Sequence, residues 1–216
     1  MKIKWLGHSC FLLSSASGTR IVTDPFNHQV GYPVPDVEAD IVTTSHNHFD
    51  HGYIQGIRGT FLHLDKPGKY ERNGISITGI PTYHDKVKGI ARGNNIVFIF
   101  EIDGLRICHC GDIGHLFNER QIDAIGKADI LMIPVGGVFT IDASEAYRII
   151  DLLKPQIAIP MHYGTPVLKF KLGGLDKFLK EAGITERSDA FIHKREIEVT
   201  PSIIAQFPKI VVMDYE

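Results

Sequence analysis

The segment Ser45-His46-Asn47-His48-Phe49-Asp50-His51-Gly52 packs four ligand-type side chains into six positions. It directly follows the apolar run Ile41-Val42-Thr43-Thr44. In extended backbone, residues two apart point the same way, so His46 and His48 can face one metal ion. Asp50 and His51 follow at the turn and can face a second position. Neutral imidazole nitrogens and carboxylate oxygens are ligands that zinc prefers. A histidine-rich surface loop is the plain alternative, and three more residues speak against it. His84 follows the apolar strand 75–80, Asp112 follows 105–110, and His162 follows 157–161. Each stands just past the end of a hydrophobic run. Strand ends gathered at one rim form a site on a rigid scaffold. Together these residues supply seven ligands, enough for two metal ions sharing one carboxylate.

The elements that must position them are short. The pattern predicts strands at 2–6, 10–14, 20–23, 41–44, 60–64, 75–80, 96–102 and 105–110, punctuated by Gly, Asn, Asp and Pro. Asp103-Gly104 and Asn73-Gly74 are hairpin signals between apolar runs. Asn118 with Gln121, and Asp142 with Glu145, read as cap-plus-N3 pairs opening helices. Ala146, Ile149, Ile150 and Leu153 form an apolar stripe on the second helix, which Lys154-Pro155 ends. A third helix is expected over 174–182, with strands at 129–133 and 156–160 between the helices and a last strand at 210–213. The expectation is one domain, 1–216, of sheets covered by helices.

Composition narrows the class. The formal charge is −2, with 44% hydrophobic and 22% charged residues, as in a soluble globular protein. Near neutrality, and the lack of a run of five or six basic residues, argues against nucleic acid as partner and leaves a small-molecule substrate. Three cysteines form no disulfide framework and fit a reducing cytoplasm. No apolar run reaches the ~18 residues of a membrane span. Gly7-His8-Ser9 breaks a would-be signal sequence, so a cytoplasmic location is expected.

The sequence resembles the metallo-β-lactamase superfamily over nearly its whole length. His46-x-His48-x-Asp50-His51 matches the diagnostic motif, and His84, Asp112 and His162 match the later single-residue motifs in order. Asp24, ending the strand 20–23, matches the early aspartate. Trp5-Leu6-Gly7-His8-Ser9, His109-Cys110-Gly111-Asp112 and Pro160-Met161-His162-Tyr163-Gly164 are similar to a branch described as metal-dependent hydrolases. Lactonase and phospholipase D enzymes are its more distant relatives. The resemblance implies an α+β, αββα sandwich of two mixed sheets flanked by helices, with a dinuclear site at its edge. It further implies that one metal takes His46, His48 and His84, and the other Asp50, His51 and His162. Asp112 would bridge both.

The chemistry implied is attack by a metal-activated hydroxide on a small ester, lactone or phosphoester. Asp50 would orient that group and move a proton, and Asp24 would fix a ligand histidine by hydrogen bond. Two Zn2+ ions are expected, with Mn2+ or Fe as alternatives. A nuclease, a diiron redox protein and a non-catalytic metal binder are the competing readings. His8, Thr140 and Tyr163 are candidate substrate contacts. His109 is expected to pack or to support a ligand, and His28, His63, His115 and His193 to lie on the surface or in loops. The loop Lys86–Arg92 is expected over the cleft, where it could meet an anionic substrate. Gly136-Gly137 lacks a phosphate-loop ending and reads as a tight turn with close backbone approach.

Overall fold

Two six-stranded mixed sheets carry the chain, and the computed structural model describes residues 1–186 and 189–215. The first sheet holds β1 (Lys2–Gly7), β2 (Cys10–Ser14), β3 (Arg20–Thr23), β4 (Ile41–Thr43), β5 (Leu62–Leu64) and β12 (Glu196–Glu198), in the order β12-β1-β2-β3-β4-β5. The second holds β6 (Gly68–Arg72), β7 (Ile75–Tyr83), β8 (Asn94–Ile102), β9 (Leu105–His109), β10 (Ile130–Pro134) and β11 (Ile157–Met161), in the order β11-β10-β9-β8-β7-β6.

The inward faces meet in one apolar core. Ile3, Trp5, Phe11, Leu13, Ile21 and Ile41 from the first sheet join Ile77, Phe98, Phe100 and Ile107 from the second. Alternate residues of the first sheet, Cys10, Val22 and Val42, face the other way and pack under Phe26, Val30 and Tyr32. Helix α1 (Glu119–Ile125) packs on β7, α2 (Ala143–Leu153) on β10, and α3 (Leu175–Glu181) on α2.

Local signals explain the joints. Asn118 and Asp142 each accept from the N3 backbone N–H, and Gln121 and Glu145 return the bond to the cap. Lys154, in the left-handed region at φ 47°, ends α2. Asn73-Gly74 and Asp103-Gly104 turn the β6–β7 and β8–β9 hairpins.

Some expectations change. β6 and β12 are additional strands, both at sheet edges. His63 lies within β5, half-buried, with its Nε2 2.9 Å from Thr44 Oγ1, rather than in a loop. The run 210–213 is buried but forms single bridges, Ile210 to Ala158 and Val212 to Phe191, instead of a continuous strand. Among the described residues, no helix is long and apolar enough to cross a membrane.

Strand direction is what matters for the site. β1 and β3 are each antiparallel to β2, while β3, β4 and β5 run parallel. β7 and β9 are each antiparallel to β8, while β9, β10 and β11 run parallel. The C-terminal ends of β1, β3 and β4 therefore share one rim of the first sheet, and those of β7, β9 and β11 share one rim of the second.

Candidate metal centre

Residues from all six strand ends meet. His8 follows β1, Asp24 follows β3, and the segment His46–His51 follows β4; His84, Asp112 and His162 follow β7, β9 and β11. Their potential ligand atoms fall into close groups: His46, His48 and His84; His8, Asp50, His51 and His162; and His46, His51 and Asp112. Within each group every ligand atom lies within 4.8 Å of the others.

Asp112 is the centre of the arrangement. Its Oδ2 lies 3.2 Å from His51 Nε2, 3.2 Å from His162 Nε2 and 3.4 Å from His84 Nε2. Yet His46 Nε2, His51 Nε2, His162 Nε2 and Asp112 Oδ1 are buried without a hydrogen-bond partner. A buried polar atom left unsatisfied costs about 1–3 kcal/mol, so several in one place need a common partner. Cations placed among these lone pairs would supply it.

Supporting hydrogen bonds set which ring nitrogens face inward. Asp24 accepts from Ser45 N at Oδ1 (2.7 Å) and from Ser45 Oγ at Oδ2 (2.6 Å). The same Oδ2 accepts from His51 Nδ1 (2.9 Å), leaving His51 Nε2 as a lone-pair donor to the cluster. Because Ser45 Oγ gives its proton to Asp24, it accepts from His46 Nδ1 (3.0 Å), and His46 Nε2 is freed in turn. One buried carboxylate thus orients a histidine of each of two groups. Asp112 is placed by its own N–H, which donates to Asn95 Oδ1 (2.9 Å); Asn95 is itself tied to Cys110 O and Thr82 Oγ1.

Burial and neighbouring charges shift the ligand groups in different directions. Burial, aided by the neighbouring His51, pushes His46 down to about 3, and burial with His162 pushes His8 down to about 4. Both are neutral at pH 7. Burial would raise the Asp112 carboxyl, but His162 and His51 outweigh it and hold it well below the usual range. Asp50 is likewise lowered against burial, chiefly by His51 and by the hydrogen bond from His8. His51, between Asp112 and Asp50, is raised well above its usual value despite burial. The proton it carries without metal is the one that a cation would displace.

The backbone is strained here. His8, Asp24 and His162 take φ of 53°, 40° and 51°, the left-handed region that non-glycine residues rarely adopt. The His8 carbonyl accepts from Trp5 Nε1 (3.1 Å) and from His162 N (3.3 Å), joining the rims of the two sheets. Gly114 packs its α-carbon on the chain leaving β7; a Cβ there would stand 2.3 Å from Asp85 N and 2.4 Å from His84 C. Gly114→Ala should therefore push the His84 turn aside and lower stability by about 1–3 kcal/mol, read as the urea midpoint. An unchanged midpoint would refute this close packing.

The remaining candidates separate. His8 lies in the cluster, fully buried, with Nε2 3.3 Å from Asp50 Oδ2 and its ring 4.2 Å from that of His162. Tyr163 is buried against Trp5 at 5.6 Å between centroids, away from the cluster mouth, and burial raises its phenol. Thr140 is buried and donates to the Ile141 carbonyl (3.1 Å) at the approach to α2. Neither is among the residues that line the cavity beside the cluster. His109 is a packed residue: Nδ1 accepts from Gly111 N (3.3 Å), so Nε2 carries the proton it donates to Ser9 O (2.8 Å). Gly136 does make a close approach, since a Cβ there would lie 2.3 Å from His162 O. In the basic loop, Lys86 is taken up by Glu145 at 2.6 Å. Asp85 accepts four N–H groups, from Val87, Gly89, Ala91 and Arg92 at 2.8–2.9 Å, and holds that loop in shape.

The open side is a cavity of about 260 Å³ lined by His48, Phe49, Asp50, His84, Arg92, Asp112, Phe139 and Phe170. Local sequence pattern does not mark Ser45, Asn95, Asp85 or the three phenylalanines as site residues. Their roles come from pairings across the fold, and only Ser45 adjoins the motif.

Two mixed sheets with a histidine–aspartate cluster at their shared rim define a layered metal-site fold, and comparison with known proteins places it. The model of the beta-lactamase superfamily domain matches residues 2–162. A crystal structure from Thermotoga maritima, a candidate Zn-dependent hydrolase of the metallo-β-lactamase superfamily, is 41% identical with a TM-score of 0.81, covering 98% of this chain and 97% of that one. UPF0173 metal-dependent hydrolases from Pyrococcus abyssi and Carboxydothermus hydrogenoformans are 31% and 29% identical. These alignments cover 76% and 80% of this chain, and 85% and 89% of the relatives. The chain belongs to the metallo-β-lactamase superfamily, in the branch of the UPF0173 metal-dependent hydrolases.

Proposed function

We propose that the protein is a hydrolase that uses two divalent metal ions, Zn2+ foremost, to cleave a small ester, lactone or phosphoester. His46, His48 and His84 would hold one ion and Asp50, His51 and His162 the other, with Asp112 shared. The observation that carries this reading is the set of buried, unpartnered nitrogens and oxygen converging around Asp112. The ligand set, rich in neutral imidazole, suits zinc.

Metal held by these residues would supply a water acidified towards neutral pH and positive charge for the attacked and leaving oxygens. The chain's own groups do the rest. Asp50, near the mouth and 7% exposed, orients the attacking water, takes its proton and passes it to the leaving oxygen. His8 steadies the Asp50 carboxylate through Oδ2. Asp24 fixes His51 directly and His46 through Ser45. The cavity of about 260 Å³ falls below the usual range of about 300–1,000 Å³ for ligand pockets, which supports a small substrate over a nucleic acid.

The test is a screen of lactones, carboxyl esters and phosphodiesters with the metal-replete protein, repeated after chelation. The expected result is turnover of one class that chelation abolishes and Zn2+ restores. Hydrolysis that survives metal removal, or no hydrolysis in any class, would count against the proposal.

A further inference from the structure

The loops that supply the cavity's Phe49, Arg92 and Phe139 also carry exposed apolar residues. Phe49, Val87, Ile90 and Val138 are large apolar residues at 45%, 50%, 87% and 50% exposure, and all four lie in the motif loop, the Asp85-bound loop or the turn after β10. Between them, Phe49, Phe139 and Phe170 wall the cavity above the cluster. The Phe49 and Phe170 rings meet edge to face at 6.0 Å. The single cation in that wall is Arg92, whose guanidinium carbon lies 4.5 Å from the centre of the Phe139 ring. Its backbone N–H is anchored to Asp85, but its side chain makes no ion pair among the described residues. Lys86, in the same loop, is already neutralised by Glu145.

An arginine stacked on an aromatic face keeps its N–H fork available while losing little freedom on binding. Its natural partner is a planar or tetrahedral oxyanion, bound bidentately. Three phenyl rings beside it select an apolar or aromatic body. Resting on the hydrolase reading above, we infer that Arg92, Phe139, Phe49 and Phe170 form a substrate subsite. It takes a small molecule with an apolar body and one anionic group, carboxylate or phosphate, set apart from the bond that is cleaved. The anion meets Arg92, the body lies among the rings, and the scissile group reaches the floor.

The test is a binding measurement, so it does not depend on finding the substrate. Benzoate, phenylphosphonate and the neutral benzamide are titrated calorimetrically into the metal-loaded protein and into Arg92→Ala, Arg92→Lys and Arg92→Glu. One charge-assisted pair corresponds to a preference of about tenfold or more for the anions over benzamide. That ratio should fall several-fold in Arg92→Ala, recover in part in Arg92→Lys, and fall further in Arg92→Glu. Comparing the two anions tells carboxylate from phosphate. A ratio unchanged in Arg92→Ala would mean that the metals alone hold the anion, and no preference in the unmodified protein would mean that no such subsite exists; either overturns the inference. Failure of the ester screen would leave this ratio measurable, so the two readings fail separately.

Discussion

Asp112→Ala is expected to empty the site of metal and to lower kcat/KM by about 10³-fold or more, the loss of several kcal/mol of charge stabilisation. The reason is geometric. One oxygen, Asp112 Oδ2, gathers imidazoles from three separate elements, the β4 loop and the ends of β7 and β11. Without it, three ring nitrogens lose the carboxylate oxygen that they share, and the proposed metal positions would lose their common ligand. The residue's backbone would stay in place, because its N–H is held by Asn95 rather than by the carboxylate. A folded, metal-poor and inactive variant is therefore the expected result, checked by elemental analysis beside circular dichroism. Normal metal content with full turnover would refute a central role for Asp112.

Asp24→Asn should act at a distance from the substrate. Oδ2 of Asp24 accepts two hydrogen bonds, from Ser45 Oγ and His51 Nδ1, while Oδ1 accepts one from Ser45 N. An amide of the same shape must present a donor where one acceptor stood. With its nitrogen at the Oδ2 position it loses both the serine and the histidine, and with its nitrogen at Oδ1 it opposes the Ser45 N–H. His51 and His46 then lose the fixed tautomer that turns Nε2 inward. Metal affinity should fall by about 10–100-fold, measured by competition with a chromophoric chelator. Excess metal should restore much of the activity, which sets this variant apart from Asp112→Ala. Affinity equal to that of the unmodified protein would show that Asp24 does not orient the ligands. Burial disfavours the charge that this exchange removes, so the variant should stay folded.

What could be read in the sequence is what acts locally. The paired turns at Asn73-Gly74 and Asp103-Gly104, the capping residues Asn118 and Asp142, and the positions of His46–His51, His84, Asp112 and His162 after apolar runs all depend on neighbours in the chain. Edge strands were harder. Gly68–Arg72 is polar and largely exposed and lacks the alternation of a half-buried strand, while Glu196–Glu198 alternates but is only three residues long. The depth of His8 in the cluster was hidden for another reason. It depends on β1 and β11 ending at the same rim, which brings His8 beside a residue more than 150 positions away. The mouth is of the same kind, since Phe49, Arg92, Phe139 and Phe170 come from four segments with no shared spacing.

The proposed centre has one metal ion on either side of Asp112. Anomalous diffraction from crystals of the metal-loaded protein, recorded at the absorption edge of the metal found by elemental analysis, tests it most directly. Two anomalous peaks are expected, one among His46, His48 and His84 and one among Asp50, His51 and His162, with the Asp112 carboxylate between them. A single peak, or peaks away from these side chains in protein that turns over substrate, would contradict it.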